Sequence, residues 1–223
     1  MLKGEEIARS RIKSALPSLI KSLKMLDADD AVEANTRVLV NAILVEALGY
    51  NQFEELTAEY MVHGDYADIG IRINKQIEAF IEVKRIKQKL KPAHLRQVES
   101  YALKDGVDWA ILTNGREWQV YHLKPQPHEE CELTLIFRVD LLDEGTKPKE
   151  MQEKLFFISK YSLSKGKLSE LWKTRDATSP QSLRNAILSK EVLNGIRLEV
   201  RRNTKQNVEP EELKRAIEAL FKS

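Results

Sequence analysis

A chain of 223 residues is long enough to bury a sizeable core, as one domain or as one domain with an appendage. With 42% hydrophobic and 31% charged residues, and no apolar run near the ~20 residues of a membrane span, its composition argues against both a disordered and a membrane-spanning chain. Net charge is only +2 but unevenly spread: residues 149–223 hold 16 Lys or Arg against 10 Asp or Glu, and residues 1–26 hold 6 against 2, leaving an acidic middle between basic flanks.

Residues 3–26 carry Ile7, Ile12, Leu16, Leu19, Ile20 and Leu23 at helical spacing, with Pro17 marking a break or kink. Asp29 or Asp30 is the expected cap of a second helix, which runs through Val38, Leu39, Ala42, Ile43 and Leu44 and stops at Gly49. Glu33 falls in its first turn, where a carboxylate suits the helix dipole. The charged opening segment holds no long apolar core, so no signal peptide is expected, and the lone Cys131 suits a reducing cytoplasm.

An edge strand is predicted over 57–62 and a hairpin over 66–84. The first arm alternates Ile69, Ile71 and Ile73 with Asp68, Gly70 and Arg72; the second alternates Ile77, Ala79, Ile81 and Val83 with Glu78, Phe80, Glu82 and Lys84. With Asn74, Lys75 and Gln76 as the loop, Arg72 faces Glu78, Gly70 faces Phe80, and Asp68 faces Glu82. Two directly opposed carboxylates repel unless something compensates them. A divalent cation would do so, and Lys84 lies on the same face to hold a water or a phosphate oxygen beside it. An acidic pair with a lysine on one sheet face suits phosphodiester hydrolysis. A helix beginning near Pro92 follows, with Leu95, Val98 and Ala102 as its apolar stripe and His94, Gln97 and Tyr101 on the adjoining face. Gly106 ends it.

The set Asp68, Glu82-Val83-Lys84 and Gln97-x-x-x-Tyr101 resembles the PD-(D/E)XK nuclease superfamily in its Gln-x-x-x-Tyr branch. The stretches IEVKR, RQVESYA and AILTNGREWQVYHL are similar to the N-terminal nuclease domain of type I restriction enzyme R subunits, over roughly residues 33–123. No proline precedes Asp68, where the superfamily name would place one. The resemblance implies that Asp68 and Glu82 bind Mg²⁺ or Mn²⁺, with the Val83 carbonyl as a third ligand and a helix glutamate completing the site, Glu33 first and Glu46 second. It implies that Lys84 assists the attacking water and that Gln97 and Tyr101 lie beside the lysine or the DNA. Arg85, Lys87, Lys89, Lys91 and Arg96 are candidate phosphate contacts, which position a duplex without reading its sequence.

Further on, 109–113 is a continuous apolar strand, Asn114-Gly115 is a strong hairpin signal, and 118–123 is the return arm. One more short strand, 133–139, sits in a Pro- and Gly-bearing stretch. Helices follow over 151–160, 179–189, 190–203 and 209–222. The expected architecture is therefore α/β: a restriction-endonuclease-like mixed β-sheet core flanked by helices over residues 1–148, and a helical C-terminal appendage over 149–223. There is no Gly-x-x-x-x-Gly-Lys-Ser/Thr loop of a motor, no zinc-ligand spacing and no Gly-x-Ser-x-Gly. The reading that results is a metal-dependent DNA nuclease without a motor. Two alternatives stand beside it: a nucleic-acid-binding or regulatory module on the same fold, and an interaction protein whose C-terminal helices engage a second copy or a partner.

Overall fold

The computed structural model describes residues 3–221, apart from 63–64, 97, 100–104 and 125–130. The chain divides into two compact units, Met1–Leu168 and Ser169–Ser223. The first opens with α1 (Lys3–Ala28), whose buried Ala8, Ile12, Leu16, Leu19 and Leu23 recur at helical spacing. The break expected at Pro17 does not occur, and α1 continues through it for 26 residues in all. Pro17 is on the exposed side. Its cost inside a helix, about 3 kcal/mol, is offset by the burial of Leu19 and Leu23 beyond it, at about 1.5–3 kcal/mol each.

The cap expected from Asp29 or Asp30 is also absent, because α2 (Glu33–Ala42) starts from Val32 without a side-chain cap. Asp30 is used instead to close α1: it takes a left-handed φ of 51°, Ala31 donates back to the Leu26 carbonyl, and the Asp30 carboxylate pairs with Arg85. α2 then widens into a π turn, Ile43–Ala47, where the Leu48 N–H reaches the Ile43 carbonyl at 3.0 Å. Gly49, at φ 84°, ends this run as expected. A Cβ there would sit 1.8 Å from the Arg11 guanidinium, so no other residue fits without moving it.

Six strands follow, β1 (Leu56–Val62), β2 (Asp65–Ile73), β3 (Gln76–Val83), β4 (Trp109–Thr113), β5 (Glu117–Lys124) and β6 (Glu132–Asp140), and their spatial order is their chain order. Every neighbouring pair is antiparallel except β3 and β4, which are parallel. A parallel pair needs a crossover, and the segment between them supplies it. Its Leu90, Leu95, Val98 and Val107 cluster with Phe80, Ala110, Leu112, Tyr121 and Leu123, covering one sheet face. Ile69, Ile81, Ile111, Val120 and Phe137 form a cross-strand row on the other face. α2 packs against β3, and Leu23, Thr36 and Val40 approach the β4–β5 turn at Gly115. The architecture is the mixed α/β sheet flanked by helices that the hydrophobic pattern predicts.

The β2–β3 turn differs in detail from expectation. Its central residues are Asn74 and Lys75, at φ 51° and 70°, and Ile73 pairs with Gln76. Arg72 therefore opposes Ile77 rather than Glu78, and a bulge at Glu78 restores the expected register from Ile71 and Ala79 onward. Two consecutive left-handed residues are what a tight hairpin turn requires to match the twist of its strands.

After β6, α3 (Pro148–Phe157) packs against α1 and β6, and α4 (Lys160–Ser164) packs against α1 and β2. Phe156 is fully buried, with the Arg9 guanidinium 3.8 Å from its ring centroid and Arg9 paired to Glu153. The sheet-bearing unit thus runs past the boundary expected at residue 148 and ends at Leu168, in the first turn of α5 (Lys167–Ala177). The second unit is helical as expected, with α6 (Pro180–Ile187), α7 (Lys190–Thr204) and α8 (Pro210–Leu220). Leu213 and Ile217 of α8 are buried. Among the described residues, no helix is long and apolar enough to cross a membrane.

Lys75 lacks the conformational freedom of glycine at a φ of 70°. Lys75→Gly should therefore stabilise the protein by about 1 kcal/mol, the scale of the left-handed penalty. Urea denaturation would show this as a higher midpoint with an unchanged slope.

Candidate active site

The ladder between β2 and β3 has its last paired rows at Ile69 and Ile81 on the side facing away from the turn. Beyond that point the Val83 N–H donates not to a backbone carbonyl but to Asp68 Oδ2, at 2.8 Å. β3 meanwhile stays paired to β4, with Glu82 beside Leu112, Val83 beside Thr113, and the Lys84 N–H donating to the Thr113 carbonyl at 2.8 Å. Asp68 is thereby fixed at the place where β2 parts from β3, next to the end of β3 that carries Glu82 and Lys84.

Glu82 is 5% exposed, and its Oε1 accepts from Lys84 Nζ at 2.5 Å. Asp68 Oδ1 accepts from Arg37 Nη2 at 2.6 Å, and the same nitrogen lies 3.5 Å from Glu33 Oε1. Glu33, in the first turn of α2, therefore reaches the strand carboxylates through Arg37, one turn further along the same helix. Glu46, the second helix glutamate considered, is exposed on the π turn. Arg37 did not figure among the expected site residues. Its only sequence signal is its i+4 spacing from Glu33 on the predicted helix, a pattern common on solvated faces.

Burial pushes the Glu82 carboxyl up; the Lys84 hydrogen bond opposes this, and the negative charges of Asp68 and Glu33 push the same way as burial. For Lys84, burial pulls the ammonium down, but the hydrogen bond to Glu82 and the charges of Glu82, Glu33 and Asp68 outweigh it, so its pKa is raised. Lys84 is thus held as a cation. Among the described residues, the carboxylates of Asp68, Glu82 and Glu33 share this corner with Arg37 and Lys84.

Around the corner, Ile86, Leu90 and Leu95 are buried and hold the segment after Lys84 against the sheet, which leaves Arg85, Lys87, Lys89, Lys91 and Arg96 exposed. Asn114 donates to the Gln88 carbonyl at 3.0 Å, tying this segment to the β4–β5 turn. His94 is half-buried, its Nδ1 accepting from the Lys91 N–H, and burial together with the charges of Lys84 and Lys91 lowers its pKa. Gln97 and Tyr101 lie outside the described residues.

Asp68 and Glu82 are hard oxygen donors of the kind Mg²⁺ takes, one or two carboxylates at a time with water filling the other positions. Among the described residues no group of three or more His, Cys, Asp or Glu side chains is arranged to hold a metal ion. A divalent cation here would therefore rest on these two carboxylates, the Val83 carbonyl and water. The donor set fits such an ion in type and charge, with Arg37 standing on one of the oxygens it would use.

The segment that carries the six-stranded sheet and this corner is also where the chain is similar to a known family. Residues 32–136 match the family described as type I restriction enzyme R protein N terminus, which bears out the similarity to type I restriction enzyme R subunits. Among solved structures, the type IIG restriction endonuclease BpuSI is similar at a TM-score of 0.39 and 16% identity, over 69% of this chain and 20% of that one. The chain thus spans about a fifth of the length of that enzyme. No curated protein matches the chain.

The raised Glu82 carboxyl makes a pH prediction. An acid whose pKa is higher in the folded state than in the unfolded one favours folding most when protonated, so its contribution is fully present below the ordinary glutamate value of 4.5 and is lost as pH rises through the folded value. Lys84, also raised, loses its contribution only above the ordinary lysine value of 10.5 and does not act in that window. Wild type should therefore lose stability relative to Glu82→Gln as pH rises from about 4.5 towards neutrality. Paired urea titrations across this range, in chelator, would show it, and a constant difference would contradict the cause assigned here.

Proposed function

We propose that this chain is a metal-dependent nuclease of the PD-(D/E)XK type, hydrolysing DNA phosphodiester bonds with Mg²⁺ or Mn²⁺. The observation that carries this reading is the convergence of Asp68, Glu82 and Lys84 where β2 and β3 part, within the segment matched by the restriction-enzyme family. When bound, the cation would polarise the scissile phosphate and lower the pKa of a bound water. Asp68 and Glu82 would hold it, with the Val83 carbonyl alongside. Lys84, hydrogen-bonded to Glu82 at the same corner, would orient or activate the attacking water or steady a phosphate oxygen. Arg85, Lys87, Lys89, Lys91 and Arg96 face solvent on the segment that leaves the site, where they would grip the DNA backbone. Gln97 and Tyr101 would position Lys84 or the DNA. The C-terminal helices are the part of the chain we assign to a second copy or a partner protein.

One observation favours a second reading. Arg37 pairs with Asp68 and Lys84 with Glu82, so both carboxylates have cationic side-chain partners, as a non-catalytic nucleic-acid-binding module on this fold would allow. The two readings separate in one assay. Supercoiled plasmid and linear single-stranded DNA, incubated with the protein in Mg²⁺, Mn²⁺ or chelator, should be cut only when the cation is present. Glu82→Ala and Lys84→Ala should each lower the rate by about 10²–10⁴-fold, the usual worth of a positioned acid–base or ligand group. Lys84→Ala should still bind Mn²⁺. Undiminished cutting by Glu82→Ala would remove this corner from the chemistry, and DNA binding without any cutting by wild type would establish the binding module.

A further inference from the structure

Among the described residues, Arg37 is the one cation of this corner with no part in the chemistry above, and its placement is unusual. One nitrogen, Nη2, serves both Asp68 Oδ1 at 2.6 Å and Glu33 Oε1 at 3.5 Å, while Nε is buried without a hydrogen-bond partner among the described residues. A guanidinium offers five donors in a rigid fork suited to two-point contact with a carboxylate or phosphate. Here it makes a single-nitrogen contact and leaves a buried donor unmet, so the arrangement is far from the best that Arg37 can make. The oxygen it occupies belongs to Asp68, whose other oxygen is already taken by the Val83 N–H. Each Asp68 oxygen thus already holds one donor and keeps one lone pair, and a cation approaching Oδ1 meets the positive charge of Arg37 at 2.6 Å, whereas Oδ2 carries only a neutral backbone donor.

We propose that Arg37 is the built-in counter-ion of the site: it neutralises Asp68 when no metal is present and yields Oδ1 to a divalent cation. This rests on the nuclease reading. In that role Arg37 is a positioning residue. It keeps the carboxylates from repelling one another in the metal-free chain and weakens metal affinity by the work of its own displacement. Once released, its fork is free to take a phosphate oxygen and satisfy Nε.

The test is calorimetric titration of Mn²⁺ into the full chain, as wild type, Arg37→Ala, Arg37→Gln, Arg37→Lys and Asp68→Asn, with thermal melts in chelator and in Mn²⁺. Arg37→Ala should bind Mn²⁺ at least about tenfold more tightly, as expected when a like charge beside a bound cation is removed. It should melt lower than wild type in chelator and gain more from Mn²⁺. Arg37→Gln, which keeps a donor to Asp68 and guards against loss of folding in the alanine variant, should shift affinity in the same direction. Arg37→Lys should remain near wild type, because it restores the charge. Asp68→Asn should abolish binding. Equal or weaker Mn²⁺ binding by both Arg37→Ala and Arg37→Gln, with Asp68→Asn still abolishing it, would overturn the counter-ion role and leave the metal site standing. Mn²⁺ binding by none of the chains, or binding indifferent to Asp68→Asn, would overturn both the counter-ion role and the nuclease reading beneath it.

Discussion

Glu82 is buried among neighbours of its own charge, and the surroundings of that one carboxylate account for much of the local architecture. A carboxylate taken out of water is costly unless it is paired and hydrogen-bonded. Lys84, two residues along on the same face and tethered through its N–H to Thr113, supplies the pair. Asp68 would aggravate the cost, yet it is drawn off by two other donors, the Val83 N–H and Arg37. Parting β2 from β3 makes this workable. Had the ladder continued past Ile69 and Ile81, the Val83 N–H would be committed to a carbonyl and Asp68 would lose one of its two partners.

The parallel pairing of β3 with β4 gives the corner its second half. Parallel strands bring their C-terminal ends to the same edge of a sheet, which is where α/β proteins commonly place their ligands. Here that edge joins the Lys84 segment to the Thr113–Glu117 turn. The turn is stiff: Thr113 Oγ1 donates to the Glu117 carbonyl and accepts from the Gly115 N–H, Asn114 Oδ1 accepts from the Glu117 N–H, and buried Trp118 Nε1 donates to the Gly115 carbonyl. From that frame the Asn114 side chain reaches out to the Gln88 carbonyl. The basic segment is thus anchored from behind by Asn114 and from beneath by Ile86, Leu90 and Leu95, while its cations face outward.

The strands are legible because burial marks them in two ways: a continuous apolar run at 109–113, which matches β4 to the residue, and the period-two alternation of the hairpin, which gives the register at Gly70 and Phe80. Legibility failed where backbone geometry rather than side-chain pattern decides. Nothing in Asn74-Lys75-Gln76 announces that lysine will accept a left-handed φ, so the extra residue was placed in the loop instead of in a bulge at Glu78. Asp30 carries the chemistry of a helix cap but serves to close the preceding helix, a choice set by how α1 and α2 are joined. Pro17 predicts a break because propensity is local, whereas the apolar stripe that carries α1 past it is a tertiary effect. In the site, Asp68, Glu82 and Lys84 could be grouped from strand parity alone, and Glu33 from its resemblance to a helix position of the nuclease family. Arg37 could not, since only the docking of α2 beside β3 brings it onto Asp68.

Two unsatisfied atoms bear on what this corner is for. Arg37 Nε and Asp30 Oδ1 are both buried without partners among the described residues, and each belongs to an ion pair flanking the site, Arg37 with Asp68 and Asp30 with Arg85. An arginine bound to a carboxylate through its best fork geometry would be slow to leave it, whereas one held by a single nitrogen can be released when a stronger ligand arrives for either side. The same holds for Arg85, which shares the exposed segment with the lysines assigned to phosphate. Under the nuclease reading proposed above, these ion pairs would leave the carboxylates and arginines available to an incoming cation and an incoming polyanion.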